Sequence, residues 1–308
     1  MAHSICQLPT GIEFLRGGGA MNETAGLSGG LDILTFFAVL AAALMHASWN
    51  AIVKIGTDQF SSMLLIGLVS MGLALALIPF FPLPSAAAWP WVVFSGLLHT
   101  GYKLFLARAY THGDFAQVYP IARGTAPLIV AVVGVVLLDE TLGPLAAMGV
   151  GMIGFGVAAM SVGGGGAERN RTAVAWALGT ACFTAAYTLA DAVGARLSGT
   201  ASGFVLWMFV VDGVAMTAYT TVARGFGAFA ALRGAWRAGL MAGALSLGSY
   251  WVAVWAFTRA PVGLVAALRE TSVLWAMLIG VLLFGERGGP WRWGAAAFIA
   301  IGMILLRA

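Results

Sequence analysis

Residues 107–144 read ARAYTHGDFAQVYPIARGTAPLIVAVVGVVLLDETLGP, and residues 254–290 read VWAFTRAPVGLVAALRETSVLWAMLIGVLLFGERGGP. Aligned, Ala109-Tyr110-Thr111 falls on Ala256-Phe257-Thr258. After one extra residue in the first copy, Arg123 meets Arg269, Thr125 meets Thr271 and Gly134 meets Gly280. Glu140 then meets Glu286, and Gly143-Pro144 meets Gly289-Pro290. Ordered matches with a single gap mark an internal duplication, and the period of a repeat defines the fold unit.

The composition says what kind of unit it is. The chain is 60% hydrophobic and 9% charged, with a mean hydropathy of +0.92. A soluble domain carries roughly 25% charged residues, so this chain cannot cover a globule with polar surface. Apolar runs of ~20 residues recur along the length, as membrane-spanning helices require. They are continuous rather than alternating, which excludes a barrel. The fold class expected is an all-α integral membrane protein of about ten transmembrane helices. The net charge of +4 resides in short loops and helix ends and calls for no nucleic-acid partner. Cys6 and Cys182 form no disulfide or metal spacing, and neither metal nor other cofactor is expected.

Residues 1–30 read as a disordered tail without a signal-peptide core, 31–162 as the first repeat, 163–171 as a flexible Gly-rich linker and 172–308 as the second repeat. Spans are expected near 31–54, 62–81, 89–110, 116–140 and 143–162, then 172–196, 203–223, 236–259, 262–284 and 291–307. Gly149, Gly151, Gly154 and Gly156 in the fifth span would let helix backbones approach closely in lipid. Because each half holds an odd number of spans, the second must enter the membrane inverted. Basic residues are concentrated in the loops opposite the termini, which by the positive-inside rule puts the termini outside.

An ionisable group inside a hydrocarbon span costs at least ~2.5–3.5 kcal/mol on insertion scales, so it marks a cavity or a partner. Arg123 and Arg269 rank first because they occupy one repeat position. Facing each other, two guanidiniums would hold a carboxylate, phosphate or phosphonate bidentately; otherwise they bond loop carbonyls or acids such as Asp114 and Glu270. Glu140 and Glu286 each precede a Gly-Pro, and the expectation is that they cap the fifth and tenth helices. Aromatic and polar stripes at helical spacing, His46, Trp49 and Asn50 in the first span, His99, Tyr102 and Lys103 in the third, and Tyr250 and Trp251 in the eighth, suit a small amphipathic solute. Belts of interfacial tryptophan are the competing explanation. For proton coupling the candidates by residue type are His46, Asp191, Asp212 and Glu270, with His99 beside them. No GxxxxGK[ST], HExxH or GxSxG stretch is present, so an ATP motor of that type, a zinc protease or a serine hydrolase is not expected.

The wording WNAIVK in the first span, the whole stretch 107–142 and AALRETSVLWAMLIGVLLFGE in the second half resemble the EamA family of the drug/metabolite transporter superfamily. The resemblance implies a ten-helix dual-repeat carrier of the inner membrane, not an enzyme. It would move amino acids or related small organic ions, outward, without ATP. Its cavity would be lined by helices 1, 3, 4, 6, 8 and 9, with Trp49, Asn50, His99, Tyr102, Arg123, Tyr250, Trp251 and Arg269 as the substrate-binding set. HASWNAIVK and QVYPIARG also resemble members found beside phosphonate-utilisation genes, so an organophosphonate or other small anion is the alternative cargo. Such relatives are drawn with cytoplasmic termini, against the charge count. The second half has Asp191 and no lysine in its counterpart of WNAIVK, leaving Lys54 without a symmetric partner. The alternative of another class is a non-transporting scaffold or lipid-handling protein, whose helices would pack shut on apolar contacts. Monomer and homodimer are both compatible with the sequence.

Overall fold

The structure is a computed structural model that describes residues 31–55, 59–112, 115–162, 170–284 and 289–307. The expected tail, most of the linker, Asp114 and Glu286 lie outside these residues, and the Lys54 side chain is likewise not described.

Among the described residues every regular element is helical. In the first repeat these are α1 Ile33–Ile55, α2 Gln59–Leu77, α3 Trp89–His112, α4 Phe115–Leu137 and α5 Pro144–Val162. In the second they are α6 Arg171–Ser198, α7 Ala201–Arg224, α8 Trp236–Phe257, α9 Val262–Arg269, α10 Ser272–Phe284 and α11 Pro290–Leu305. Local chemistry sets the ends. Asp32 accepts the Thr35 backbone N–H at 3.0 Å to start α1, and Asn170 and Thr200 cap α6 and α7 in the same way. Pro79 ends α2 in a single 3-10 turn, and Pro290 opens α11.

Two features differ from the sequence expectation. The connection between α7 and α8 is not plain loop but a short helical turn, Gly227–Ala230, continued by a 3-10 turn over Ala231–Ala235. More consequentially, the ninth span is broken. After Arg269 the backbone N–H groups of Glu270, Thr271 and Val273 bond three residues back, to Ala267, Leu268 and Glu270, and α10 restarts at Ser272. The Thr271 hydroxyl donates to the Leu268 carbonyl at 2.6 Å, supplying a side-chain partner at the break. Threonine competes with the helix ladder in this way. α4 runs unbroken through the equivalent residues, so the break belongs to one repeat alone.

Helix neighbours come in matched pairs. α1 lies on α8 as α3 lies on α6, α4 on α6 as α10 on α1, and α2 on α8 as α7 on α3; α2 meets α7, and α5 meets α11. This is the pattern of two five-span repeats related by a pseudo-twofold axis. The α5–α11 contact shows how backbones close up in lipid. A Cβ on Gly302 would fall 2.8 Å from the Gly149 carbonyl, and one on Gly149 would fall 2.8 Å from that of Gly302. Gly156 meets the Ala295 carbonyl similarly, Gly154 packs on Leu128 of α4, and Gly151 has open space. Outward faces carry exposed apolar side chains such as Phe37, Phe94, Val136, Phe155 and Ile304, as contact with acyl chains demands.

Six of the helical stretches are long and apolar enough to cross a membrane, and three shorter apolar helices accompany them among the described residues. α3, though 24 residues long, is not among either set. Its inward stripe carries the polar groups of the site.

Candidate functional site

Ser95, His99 and Lys103 recur every fourth residue along α3 and so share one stripe. All three are buried. Two glycines bring the facing helices close enough to reach them. A Cβ on Gly96 would sit 2.6 Å from Val211, and one on Gly101 would sit 2.4 Å from Phe183. Substitution is therefore barred where α3 meets α7 and α6.

The stripe meets two fully buried aspartates. Asp212 of α7 accepts Lys103 Nζ at 2.5 Å on one oxygen and the Thr100 hydroxyl at 3.0 Å on the other. Asp191 of α6 accepts the Ser95 hydroxyl on Oδ1 and the Tyr250 hydroxyl on Oδ2, with His99 Nε2 3.1 Å from the same Oδ2. Rings close around this carboxylate: Tyr187 stacks on His99 with centroids 4.0 Å apart, and Tyr102 meets Tyr187 edge-on at 5.6 Å. By the repeat offset Lys103 and Tyr250 are equivalent positions, so this position supplies an aspartate-binding side chain in both halves.

A second cluster forms where the ninth span breaks. Arg123 of α4 pairs with Glu270, Nε to Oε2 at 3.1 Å, and its Nη2 donates to the Ser272 hydroxyl at 3.3 Å. Arg269 takes another course, its guanidinium carbon lying 4.9 Å from the centre of the Tyr250 ring, within cation–π range. Of the two arrangements expected for the arginines, Arg123 takes the pairing with Glu270, while Arg269 sits over an aromatic face. Arg269 ends α9 and Glu270 follows it at the break. Tyr250 joins the clusters, its hydroxyl on Asp191 and its face toward Arg269.

The first span contributes Trp49, whose buried indole N–H finds no partner among the described residues, and His46, edge-on to it at 5.0 Å. His46, Tyr187 and Glu270 all lie in the field of both Arg123 and Arg269. Two other expected residues do not join them. Asn50 donates to the His46 carbonyl of its own helix at 2.7 Å. Trp251 points away from Tyr250, donating to Ser202 at 2.9 Å and packing edge-on against Phe81. Adjacent helical residues diverge by about 100°, so Tyr250 and Trp251 cannot both face the cluster.

The reading of Glu140 also changes. It caps not α5 but α9 of the other repeat, accepting the Val262 N–H on Oε2 at 2.8 Å and Arg196 Nη2 on Oε1 at 2.6 Å. Asp139, at φ 52, turns the chain back so that Glu140 lies over Gly134. A Cβ there would be 2.9 Å from Glu140 Oε2, so glycine at this position leaves room for the carboxylate.

Three ion pairs are formed among the described residues, Lys103–Asp212, Arg123–Glu270 and Arg196–Glu140, and the His99–Asp191 contact is a fourth only when His99 is protonated. Each joins a residue of the first repeat to one of the second. Sequence reasoning missed Ser95, Thr100 and Tyr187, and gave Lys103 and Arg196 no partner. Tyr187 had a signal, since it repeats the position of Trp49; the partners of Lys103 and Arg196 had none. No group of three or more His, Cys, Asp or Glu residues is placed to hold a metal among the described residues.

The comparisons agree with this architecture. No significant match to a curated protein sequence was found. One crystal structure, described only as "Crystal structure of protein", superposes with a TM-score of 0.69 at 16% identity, covering 88% of this chain and 97% of its own. That likeness concerns the fold alone. The model of the EamA-like transporter family matches residues 33–162 and again 171–308. The protein is a multi-pass membrane transporter of the drug/metabolite type, and the chain belongs to the EamA-like transporter family.

Proposed function

We propose that this protein carries small organic ions, amino acids or related metabolites, outward across the cell (inner) membrane by alternating access, without ATP. The observation that carries the reading is the break between α9 and α10, which sets Glu270 against Arg123 of the other repeat and Arg269 over Tyr250. Interrupted spans at a repeat interface are where secondary transporters bind their cargo. Cross-repeat ion pairs supply groups that can separate as the halves rock. A shut apolar scaffold has no use for them, since a buried charge is expensive to keep.

In this reading Trp49, His99, Tyr102, Arg123, Tyr250 and Arg269 line the site, while Asn50 and Trp251 support it from outside. The pairing of Arg123 with Glu270 favours a zwitterion: an ammonium group is drawn to Glu270 and a carboxylate to Arg269. A pure anion such as an organophosphonate would leave Glu270 opposed. Among described residues, Arg171, Arg224, Arg237 and Arg292 lie on the face opposite the termini, against Arg196, Arg259 and Arg307 on the terminal face. By the positive-inside rule this supports an orientation with the α1 N-terminus outside.

The test is counterflow in proteoliposomes against a panel of amino acids, phosphonates and sugar phosphates. Exchange of at least one amino acid, lost in Arg269→Ala, is the expected result. Exchange of phosphonates alone would replace the zwitterion with an anion. Exchange of nothing by the wild type would overturn the carrier reading.

A further inference from the structure

The buried charges balance in an uneven way. Lys103 pairs with Asp212 and Arg123 with Glu270. Glu140 pairs with Arg196, and among the described residues this leaves one buried cation, Arg269, and one buried carboxylate, Asp191, which share Tyr250. Asp191 is fully buried, and its remaining contacts are the Ser95 hydroxyl and His99 Nε2. Of these three neighbours only His99 can carry a positive charge, so among the described residues a carboxylate charge on Asp191 is offset by a proton on the His99–Asp191 pair or, through Tyr250, by Arg269.

We propose that the His99–Asp191 pair is the proton-binding site of this carrier, and that Tyr250 couples its occupancy to whatever engages Arg269. The inference rests on Arg269 being the anion-binding group of the proposed carrier.

The coupling follows from electrostatics. With the site empty, the Arg269 cation lies against the face of the tyrosine whose hydroxyl donates to Asp191. A substrate carboxylate at Arg269 cancels the field of the guanidinium and competes for it. The ionised Asp191 then loses its offset, and the pair gains affinity for a proton. Substrate and proton therefore bind cooperatively, each raising the affinity of the other by the same factor. A zwitterion leaving with one proton carries one positive charge outward, so its efflux runs on the substrate gradient and is slowed by an inside-negative potential.

The other charged groups around α6 do not compete for this role. From α3, Lys103 is already paired with Asp212 of α7. From α4, Arg123 is paired with Glu270. His46 of α1 has Trp49 as its aromatic neighbour and no carboxylate contact among the described residues. Tyr187 on α6 itself stacks on His99 and closes the pair from water.

The proton site can be read without knowing the cargo. Infrared difference spectra of the reconstituted protein between acid and alkaline buffer are expected to show a buried carboxyl or imidazole signal. That signal is absent in Asp191→Asn and displaced in midpoint by about one pH unit in Tyr250→Phe, the size of effect expected when one hydrogen bond to an ionised group is lost. His99→Gln serves as the second variant should Asp191→Asn not fold. The same titration in Asp191→Asn and His99→Gln as in wild type overturns the proposal. With a compound that exchanges, the counterflow rate should vary with pH in wild type and not in Asp191→Asn, whatever its absolute rate; an unchanged pH profile in that variant also overturns it. A protein that shows the Asp191 titration but exchanges nothing would refute the carrier reading and leave the proton site standing.

Discussion

Arg196 and Glu140 tie the two repeats together at the terminal face of the membrane. Arg196 donates through Nη2 to Glu140 at 2.6 Å and through Nε to the Phe257 carbonyl at 2.9 Å, while Glu140 also holds the first N–H of α9. One side chain from each repeat thus locks the start of a helix that leads directly to the break at Arg269. In an alternating-access cycle this contact must open whenever the terminal face opens.

Replacing Glu140 by Ala strips the cap from α9 and leaves Arg196 without its carboxylate. Breaking a buried pair from one side costs about 3–5 kcal/mol, with the value here at the lower end because Arg196 is partly exposed. A fall in thermal unfolding temperature measured in detergent checks it, and Glu140→Gln should recover part of the loss. Equal stability of Glu140→Ala and wild type would show that the contact is idle.

Gly134→Ala should behave as a milder version of the same change. The new methyl meets Glu140 Oε2 at 2.9 Å and Val262 Cγ1 at 3.3 Å, and overpacking of this kind costs about 1–3 kcal/mol. Gly151→Ala is the control, because it meets nothing within 4 Å and exchanges glycine for a better helix former. Unfolding curves of the two variants, run side by side, separate steric conflict from helix propensity.

The Lys103–Asp212 pair predicts a non-additive outcome. Lys103→Met or Asp212→Leu alone strands a charge in a buried site, at a cost of roughly 3–5 kcal/mol. The double variant Lys103→Met/Asp212→Leu should be more stable than Lys103→Met. A double-mutant cycle on folded yield and unfolding temperature measures the coupling, and simple additivity would count against a direct pair.

Arg123→Lys keeps the charge but loses the planar fork that reaches Glu270 and Ser272 together. Apparent substrate affinity in counterflow should fall about tenfold, the equivalent of ~1.4 kcal/mol. Arg123→Ala should fall further, since it leaves Glu270 buried without its partner. Affinity unchanged by both substitutions would remove Arg123 from the site.

Much of the architecture was legible in the chain. The duplication, the membrane class and most span positions follow from spacing and hydropathy, because a segment in lipid must satisfy its own backbone and declares itself by length and apolarity. The pairing of Gly134 with Glu140 was visible as a repeat, yet its purpose was misjudged. The nearest helix in sequence looked like the one being capped, whereas the nearest in space belongs to the other repeat.

The site divides along the same line. Sequence alone marked which residues should avoid lipid: His99, Lys103, Arg123, Asp191, Asp212, Arg269 and Glu270 are buried and His46 is half-buried, as the cost of a charge in hydrocarbon requires. Only the tertiary structure decided who pairs with whom, and where the ninth span breaks. Each partner lies on another helix, often more than ninety residues away, and the choice depends on the rotation of each helix about its axis. Glycines such as Gly96 and Gly101 set that approach through close packing rather than through any pattern that periodicity records. The solvent dictates that the charges turn inward; the packing of the two repeats selects their partners.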